Sequence, residues 1–300
     1  MKNFLSALFV LAALAATKPA AALEVFACEP EWGALAQELG GERVAVYVAT
    51  NPLQDPHRLQ AKPSLLARAR RANLVVCTGA ELEVGWLPLV LRQAGNSAVQ
   101  PGTPGYFEAA SFVQRLEVPT TLDRAAGDIH PSGNPHIQLD PRNIARVATA
   151  LAQRLGDIDR GNAAFYRMRY QDFSKRWDAA IQRWSQQAAP LRGTPVVVHH
   201  LTFVYLENWL GLRELAQLEP KPGIEPTSSH LSEVLDLMKR QPAKMILRTP
   251  YNDPRASEYL AERTHIPAVM IPDTVGGSDK AKDLFSFFDD ILQRLLGAQR

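Results

Sequence analysis

The chain has 300 residues, of which 46% are hydrophobic, so it is long enough to bury one large core or two modest ones. Its 33 basic and 31 acidic residues leave a formal charge of +2. That balance gives no support for a nucleic-acid-binding protein or for a protein attracted to an anionic surface. The composition therefore indicates a globular protein and leaves its function to be argued from particular residues.

The first 22 residues have the features of a secretory signal peptide. Lys2 supplies a positive charge, residues 4–16 are apolar, and Ala20-Ala21-Ala22 forms a small-residue cleavage site before Leu23. The apolar stretch is too short to span a bilayer, so we expect residues 1–22 to be removed and the mature protein to be released into the periplasm. A retained membrane anchor is the alternative. Because no cysteine follows the cleavage site directly, we expect no lipid anchor on the new N-terminus.

Strands and helices alternate in the first part of the mature chain. Residues 23–27, 44–48 and 73–77 are predicted to be strands, with helices at 31–39 and 64–72 between them. This β-α-β-α-β order predicts a parallel sheet with helices on its faces.

Two helices are predicted after a Pro- and Gly-rich loop at residues 100–134. Asp140-Pro141 is typical of a helix start, and residues 142–155 carry apolar side chains at helical spacing. Residues 160–188 form a longer pattern, with an aromatic and aliphatic stripe among charged residues. At 1.5 Å per residue such a helix is about 40 Å long, so we interpret it as a rigid strut.

The alternation of strands and helices resumes after Gly193. Strands are predicted at 195–200, 215–218, 245–248 and 268–271, and helices at 202–210, 231–240, 257–264 and 284–296. We therefore expect an α/β protein of two lobes with mostly parallel sheets, joined by a single long helix. Residues 23–159 would form the N-terminal lobe, 160–189 the linking helix and 190–300 the C-terminal lobe.

Cys28 and Cys77 are the two cysteines of the chain, and each lies near the end of a predicted strand. If the strands are parallel neighbours, their ends come within disulfide distance in an oxidising compartment. We expect a disulfide, with two small buried thiols as the alternative.

Three histidines occupy corresponding places at strand ends or on the loops after them. His57 lies on the loop after the second strand, His136 stands just before a helix, and His200 ends the first strand of the second lobe. Ligands of parallel sheets bind beyond the carboxyl ends of the strands, so we expect the three imidazoles to converge. Asp273 follows the last strand in a matching place. Three imidazoles and one carboxylate form a four-coordinate set that suits zinc.

Recognisable motifs surround these residues. Asp55-Pro56-His57 forms a D-P-H motif, residues 135–141 form P-H-x-x-L-D-P, and residues 200–206 are similar to H-x-x-F-x-Y-F. Residues 79–87 are similar to G-x-x-L-E-x-W-L, with Glu81 as a departure. Over essentially the whole mature chain the sequence resembles the metal-binding solute receptors of ABC transporters, the cluster A-I family that includes the zinc receptors ZnuA and AztC.

The resemblance implies a metal site in the cleft between the lobes, with His57, His136 and His200 as ligands and an aspartate as the fourth. Asp273 is our choice for that aspartate, with Asp279 as the runner-up and water as a third option. Manganese receptors of the family carry Glu at the third position, so His200 favours zinc. Manganese or another divalent metal is the alternative.

Weaker candidates surround this set. We hypothesise that Asp128 and His130 belong to a flap whose side chains bind metal transiently during loading. His199 is expected to pack beside the site, and Glu225 is a weak candidate for an outer acceptor to a ligand imidazole.

The predicted function is that of a periplasmic, high-affinity zinc receptor that delivers Zn²⁺ to an inner-membrane ABC permease. The expected partners are zinc as cargo, the permease and, as a candidate donor, a periplasmic metallochaperone, with no nucleic acid and with the protein as a monomer. A secreted zinc hydrolase is the enzyme alternative, but the sequence has no H-E-x-x-H or G-x-S-x-G motif, and a fourth protein ligand would close the site. We therefore expect no enzyme. An adhesin on the same fold is a third class.

Overall fold

The protein, described here from a computed structural model over residues 22–121, 127 and 130–299, contains two parallel sheets of four strands each. The first has the order β2-β1-β3-β4 and the second β6-β5-β7-β8. The strands are β1 (Leu23–Ala27), β2 (Val44–Val48), β3 (Leu74–Cys77), β4 (Tyr106–Glu108), β5 (Pro195–Val198), β6 (Arg213–Gln217), β7 (Met245–Arg248) and β8 (Ala268–Met270). The predicted α/β fold of two lobes is confirmed, while the predicted signal peptide lies, apart from its last residue, outside the described residues.

Helices connect the strands and cover the sheets. They are α1 (Pro30–Gly40), α2 (Pro63–Arg71), α3 (Leu87–Ala94), α4 (Pro141–Ile158), α5 (Ala163–Gln187), α6 (Val204–Leu210), α7 (Ser228–Arg240), α8 (Pro254–Thr264) and α9 (Leu284–Ala298). The predicted start of α4 is confirmed, since Asp140 accepts a hydrogen bond from the backbone N–H of Arg142 and Pro141 follows it. Within the described part of the chain, no helix combines the length and apolar character needed to cross a membrane.

Two elements in the first lobe go beyond the predictions. Strand β4 lies inside residues 100–134, which were predicted to be loop, and it pairs with β3 at the edge of the sheet. It is three residues long and follows Pro104-Gly105, so its own sequence pattern is too short to reveal it. Helix α3 was also not predicted.

The long helix α5 spans 25 residues, about 37 Å, and packs against helices of both lobes. Its buried Trp177 and Trp184 lie against Phe285 and Phe288 of α9, with ring centroids of 4.9 to 6.4 Å. Both indole N–H groups have acceptors, because Trp177 donates to the Pro141 carbonyl and Trp184 to Asp289. The aromatic stripe predicted in this helix therefore fixes α5 against the second lobe.

A disulfide joins Cys28 to Cys77, as predicted. Strands β1 and β3 are parallel neighbours, and the Cα atoms of the two cysteines, at the strands' carboxyl ends, are 4.8 Å apart. The bridge links the carboxyl ends of β1 and β3, at the end of the first sheet from which the cleft loops emerge.

Candidate metal centre

Three loops bring the predicted histidines to the cleft between the lobes. His57 lies in the short 3-10 turn Pro56–Arg58, whose preceding residue Asp55 accepts a hydrogen bond from the His57 backbone N–H. His136 stands just before the turn that leads into α4, with its backbone N–H donating to Asn134 Oδ1. His200 lies two residues after the end of β5, directly before the 3-10 turn Leu201–Phe203. Each histidine thus lies in a short 3-10 turn or directly before one.

The structure brings His57, His136 and His200 together. One ring nitrogen of each lies within 4.8 Å of those of the other two. The ring centroids are 5.5 to 6.1 Å apart, and the ring planes cross at 63 to 89°. Nitrogen ligands of a tetrahedral zinc ion lie about 3.3 Å apart, so a small inward movement would complete a common coordination sphere.

Carboxylates orient two of the three imidazoles. His57 Nδ1 lies 2.8 Å from Asp55 Oδ1, and His200 Nδ1 lies 2.7 Å from Glu219 Oε2. A carboxylate accepting from Nδ1–H leaves Nε2 as the nitrogen available to a metal ion. Burial raises the pKa of Asp55, but the hydrogen bond and charge of His57 lower it by more, so this acceptor stays ionised.

His136 is the most buried of the three histidines, with 1% of its surface exposed. Among the described residues its Nε2 has no hydrogen-bond partner. Burial, followed by the nearby His57, His200 and His130, lowers its pKa well below the usual value. It is therefore a neutral imidazole with a bare nitrogen, which is the form that binds a metal ion.

Asp273 lies next to His136 at the margin of the histidine cluster. It is 4% exposed, its Oδ1 has no hydrogen-bond partner among the described residues, and it shares a narrow cavity with His136. Gln138 Nε2 donates to its backbone carbonyl at 3.0 Å. Burial, followed by the charge of Glu31, raises the pKa of Asp273 well above its usual value.

The two candidate aspartates occupy different environments. In the described chain, the ligand atoms of His57, His136 and His200 lie within 4.8 Å of one another, and no oxygen of Asp273 belongs to that group. The runner-up, Asp279, is exposed. A carboxylate that is buried beside His136 is the better placed of the two to approach a bound cation.

His130 also reaches the cluster. Its Nε2 lies 3.3 Å from His57 Nε2, and the two ring centroids are 5.2 Å apart. Asp128, the other residue of the hypothesised flap, lies outside the described residues.

Two cleft residues escaped the sequence analysis. Glu219, rather than Glu225, is the acceptor for His200, and its place just after β6 is a strand-end signal that could have identified it. Tyr251 lines the cleft with His57 and His200. Burial, followed by the charges of Asp273 and Asp55, raises the pKa of its phenol, so it stays neutral.

His199 is buried beside the cleft, where burial lowers its pKa, and it lies outside the three-histidine group.

Comparison with known proteins identifies the family. The model of the family described as "Zinc-uptake complex component A periplasmic" matches residues 25–298. The zinc uptake protein ZnuA of Brucella abortus is 24% identical over 129 residues, which are 43% of this chain and 39% of that protein. ZnuA of Yersinia pestis is 23% identical over 78% of this chain and 77% of its own length.

A manganese relative and a solved structure extend the comparison. The manganese transporter substrate-binding lipoprotein PsaA of Streptococcus mitis is 20% identical over 94% of this chain and 91% of its own. A crystal structure of ZnuA superimposes with a TM-score of 0.78 at 22% identity, covering 93% of this chain and all of that one, which shows a shared fold. Because the family model spans nearly the whole mature chain, the protein belongs to the ZnuA family of metal-binding receptors of ABC transporters.

Proposed function

We propose that the protein is a periplasmic receptor that captures Zn²⁺ and delivers it to an inner-membrane ABC permease. The observation that carries the proposal is the convergence of His57 and His136 from one lobe with His200 from the other. A metal ion bound by all three would tie the lobes together, and its binding free energy would add to the stability of the folded protein.

The nature of the donor atoms favours zinc over manganese. Neutral imidazoles are borderline-soft ligands that suit Zn²⁺, whereas Mn²⁺ prefers sites rich in carboxylate and water oxygens. Asp273 is proposed as the fourth ligand. The relatives of this chain include both the zinc uptake protein ZnuA and the manganese lipoprotein PsaA, so the choice of metal needs an experiment of its own.

A transport role agrees with the family, whose members are substrate-binding transport receptors rather than enzymes. Four protein ligands would also leave no open coordination position for the activated water of a hydrolase. We further propose that residues 1–22 are removed on export, that residues 160–189 divide the two lobes, and that the mature protein acts as a monomer. A periplasmic metallochaperone is a candidate donor of the metal.

An equilibrium competition titration tests the choice of metal. Mature protein, stripped with a chelator, is titrated with zinc in the presence of excess manganese, with Asp279→Asn as a variant that leaves the proposed ligands intact. We expect one zinc per chain that manganese does not displace. Equal competition by manganese would overturn the zinc assignment but leave the receptor role standing.

Delivery needs its own test. The zinc-loaded protein should stimulate ATP hydrolysis by its cognate permease in liposomes more than the metal-free protein does. Equal stimulation by both forms would contradict delivery of the metal.

A further inference from the structure

A carboxylate outside the metal-ligand set links two loops of the first lobe. Glu81 Oε1 accepts a hydrogen bond from Ser132 Oγ at 2.7 Å, and Glu81 Oε2 accepts one from the Ser132 backbone N–H at 3.0 Å. The two residues are 51 positions apart in the chain. Glu81 thus anchors the segment that leads into His136.

The backbone at Glu81 adopts an unusual conformation. Ala80 has φ of 49° and Glu81 has φ of 63°, in the left-handed region that side chains other than glycine seldom occupy. Its neighbour Glu83 accepts hydrogen bonds from Thr78 N–H at 2.7 Å and Gly79 N–H at 3.1 Å, within the same turn. Glu81 instead turns away from that network and reaches the other loop.

The anchored loop carries His130. A turn is closed by a hydrogen bond of 3.0 Å from Gly133 N–H to the His130 carbonyl, so Ser132 lies inside the same turn as His130. Gly133 has φ of 101°, and a Cβ there would lie 2.8 Å from the Leu116 carbonyl oxygen. The geometry of this turn is therefore constrained on both sides of Ser132.

The spacing of His130 and His57 suits a shared metal ion. Their Nε2 atoms are 3.3 Å apart, and two imidazole nitrogens on one tetrahedral zinc ion, each at 2.0–2.1 Å, are also about 3.3 Å apart. An N–H···N hydrogen bond has a similar length, and a metal ion arriving between the rings would replace it.

We propose that Glu81 is a positioning residue that acts through Ser132 to hold His130 beside His57, so that this pair receives the incoming metal ion first. The ion then passes to the three-histidine set, which includes His57 itself. This inference rests on the proposed metal-binding function.

The proposal predicts a kinetic effect rather than a loss of affinity. Glu81→Ala frees the turn, so the zinc association rate should fall by about 10-fold, the lower end of the effect of outer hydrogen-bond partners. The equilibrium affinity should change much less, because His57, His136 and His200 remain. His130→Ala should slow association to the same extent, and the double variant should be no slower than either single variant.

Glu81→Gln separates positioning from attraction by charge. The Gln amide can accept from the Ser132 N–H and donate to the Ser132 hydroxyl, so the anchor survives while the negative charge is lost. We expect this variant to keep the wild-type association rate. A rate as slow as that of Glu81→Ala would mean that the carboxylate attracts the cation, and would overturn the proposal.

Stopped-flow measurement of zinc binding, with affinity from competition against a chelator, gives the required rates. Ser132→Ala removes one of the two hydrogen bonds and serves if Glu81→Ala does not fold; it should slow association by a smaller factor. An unchanged rate in whichever of Glu81→Ala and Ser132→Ala folds, or additive losses with His130→Ala, would overturn the inference. Wild-type protein that binds no zinc at all would instead refute the proposed function.

Discussion

The two lobes have the same strand order but orient their histidines in different ways. In the first lobe, the acceptor for His57 is Asp55, two residues earlier in the same turn. In the second lobe, the acceptor for His200 is Glu219, which lies 19 residues further along and beyond the neighbouring strand β6. The first arrangement is local and can be read from a short motif. The second exists only once β5 and β6 have paired.

His136 differs from both of these histidines. Its backbone is fixed by Asn134 and by the turn before α4, while its ring is buried with a bare Nε2. The centre therefore combines two imidazoles held by carboxylates with one held by burial, and substitutions can separate these contributions.

The largest expected effect follows removal of the buried histidine. His136→Ala deletes the bare nitrogen at the centre of the cluster, so zinc affinity should fall by more than about 100-fold, beyond the range for outer partners. Isothermal titration calorimetry measures the change. His230→Ala is the matched control, because that ring hydrogen-bonds the Gln217 carbonyl at 2.9 Å instead. Equal losses in the two variants would contradict the assignment.

The next effect tests the carboxylate of the second lobe. Asp273→Asn should weaken zinc binding by about 100-fold, at the upper end of the range for outer partners. Because burial raises the pKa of Asp273, the metal-free carboxyl takes up a proton at a higher pH than an ordinary aspartate does, and zinc binding should release that proton. Calorimetry in buffers of different ionisation enthalpy should show that release in the wild type and in Asp279→Asn, but not in Asp273→Asn.

Asp55 and Glu219, the carboxylates that orient His57 and His200, test the difference between the two lobes directly. Asp55→Asn and Glu219→Gln should each weaken zinc binding by about 10-fold, because each leaves its imidazole less well oriented. Glu219 also accepts from Gly223 N–H at 2.8 Å, so its loss should additionally loosen the loop of the second lobe. Protection of the Gly223 amide from hydrogen exchange should therefore fall in Glu219→Gln and stay unchanged in Asp55→Asn.

The smallest effect concerns buried acids of the first lobe. Burial, followed by the charges of Glu83 and Glu31, raises the pKa of Glu29 well above normal, and burial raises that of Glu83 to about 7. The folded state binds these protons more tightly than the unfolded state. Their contribution to stability is present below about pH 4.5 and is lost as the pH rises through about 7.

Thermal unfolding of metal-free protein measures this contribution. Glu29→Gln should reduce the fall in Tm between pH 5 and 8, compared with the wild type. The exposed Glu42→Gln is the control. The lowered pKa of His136 acts in the opposite direction, since its contribution is lost as the pH falls below about 6.5, so only the difference between variants is informative. If Tm falls equally with pH in Glu29→Gln and in the wild type, the buried acids are not the source of that fall.

The sequence could predict those parts of the molecule that depend on residues close together along the chain. The placement of His200 close to a strand end, the Asp140 helix start and the cysteine pair all follow from local pattern and strand order. Strand β4 could not be predicted, because three residues carry too little periodicity and its formation depends on β3. Contacts between distant loops, such as Glu219 with His200, also need the folded chain.

The most direct test of the central claim is zinc K-edge X-ray absorption on the loaded mature protein, with the metal content measured on the same sample. We predict one zinc per chain with four nitrogen or oxygen neighbours at about 2.0–2.1 Å, at least two of them imidazoles, and one imidazole fewer in His200→Ala. An oxygen-only, six-coordinate zinc, or a spectrum unchanged in His200→Ala, would contradict the claim that histidines of both lobes bind a single ion.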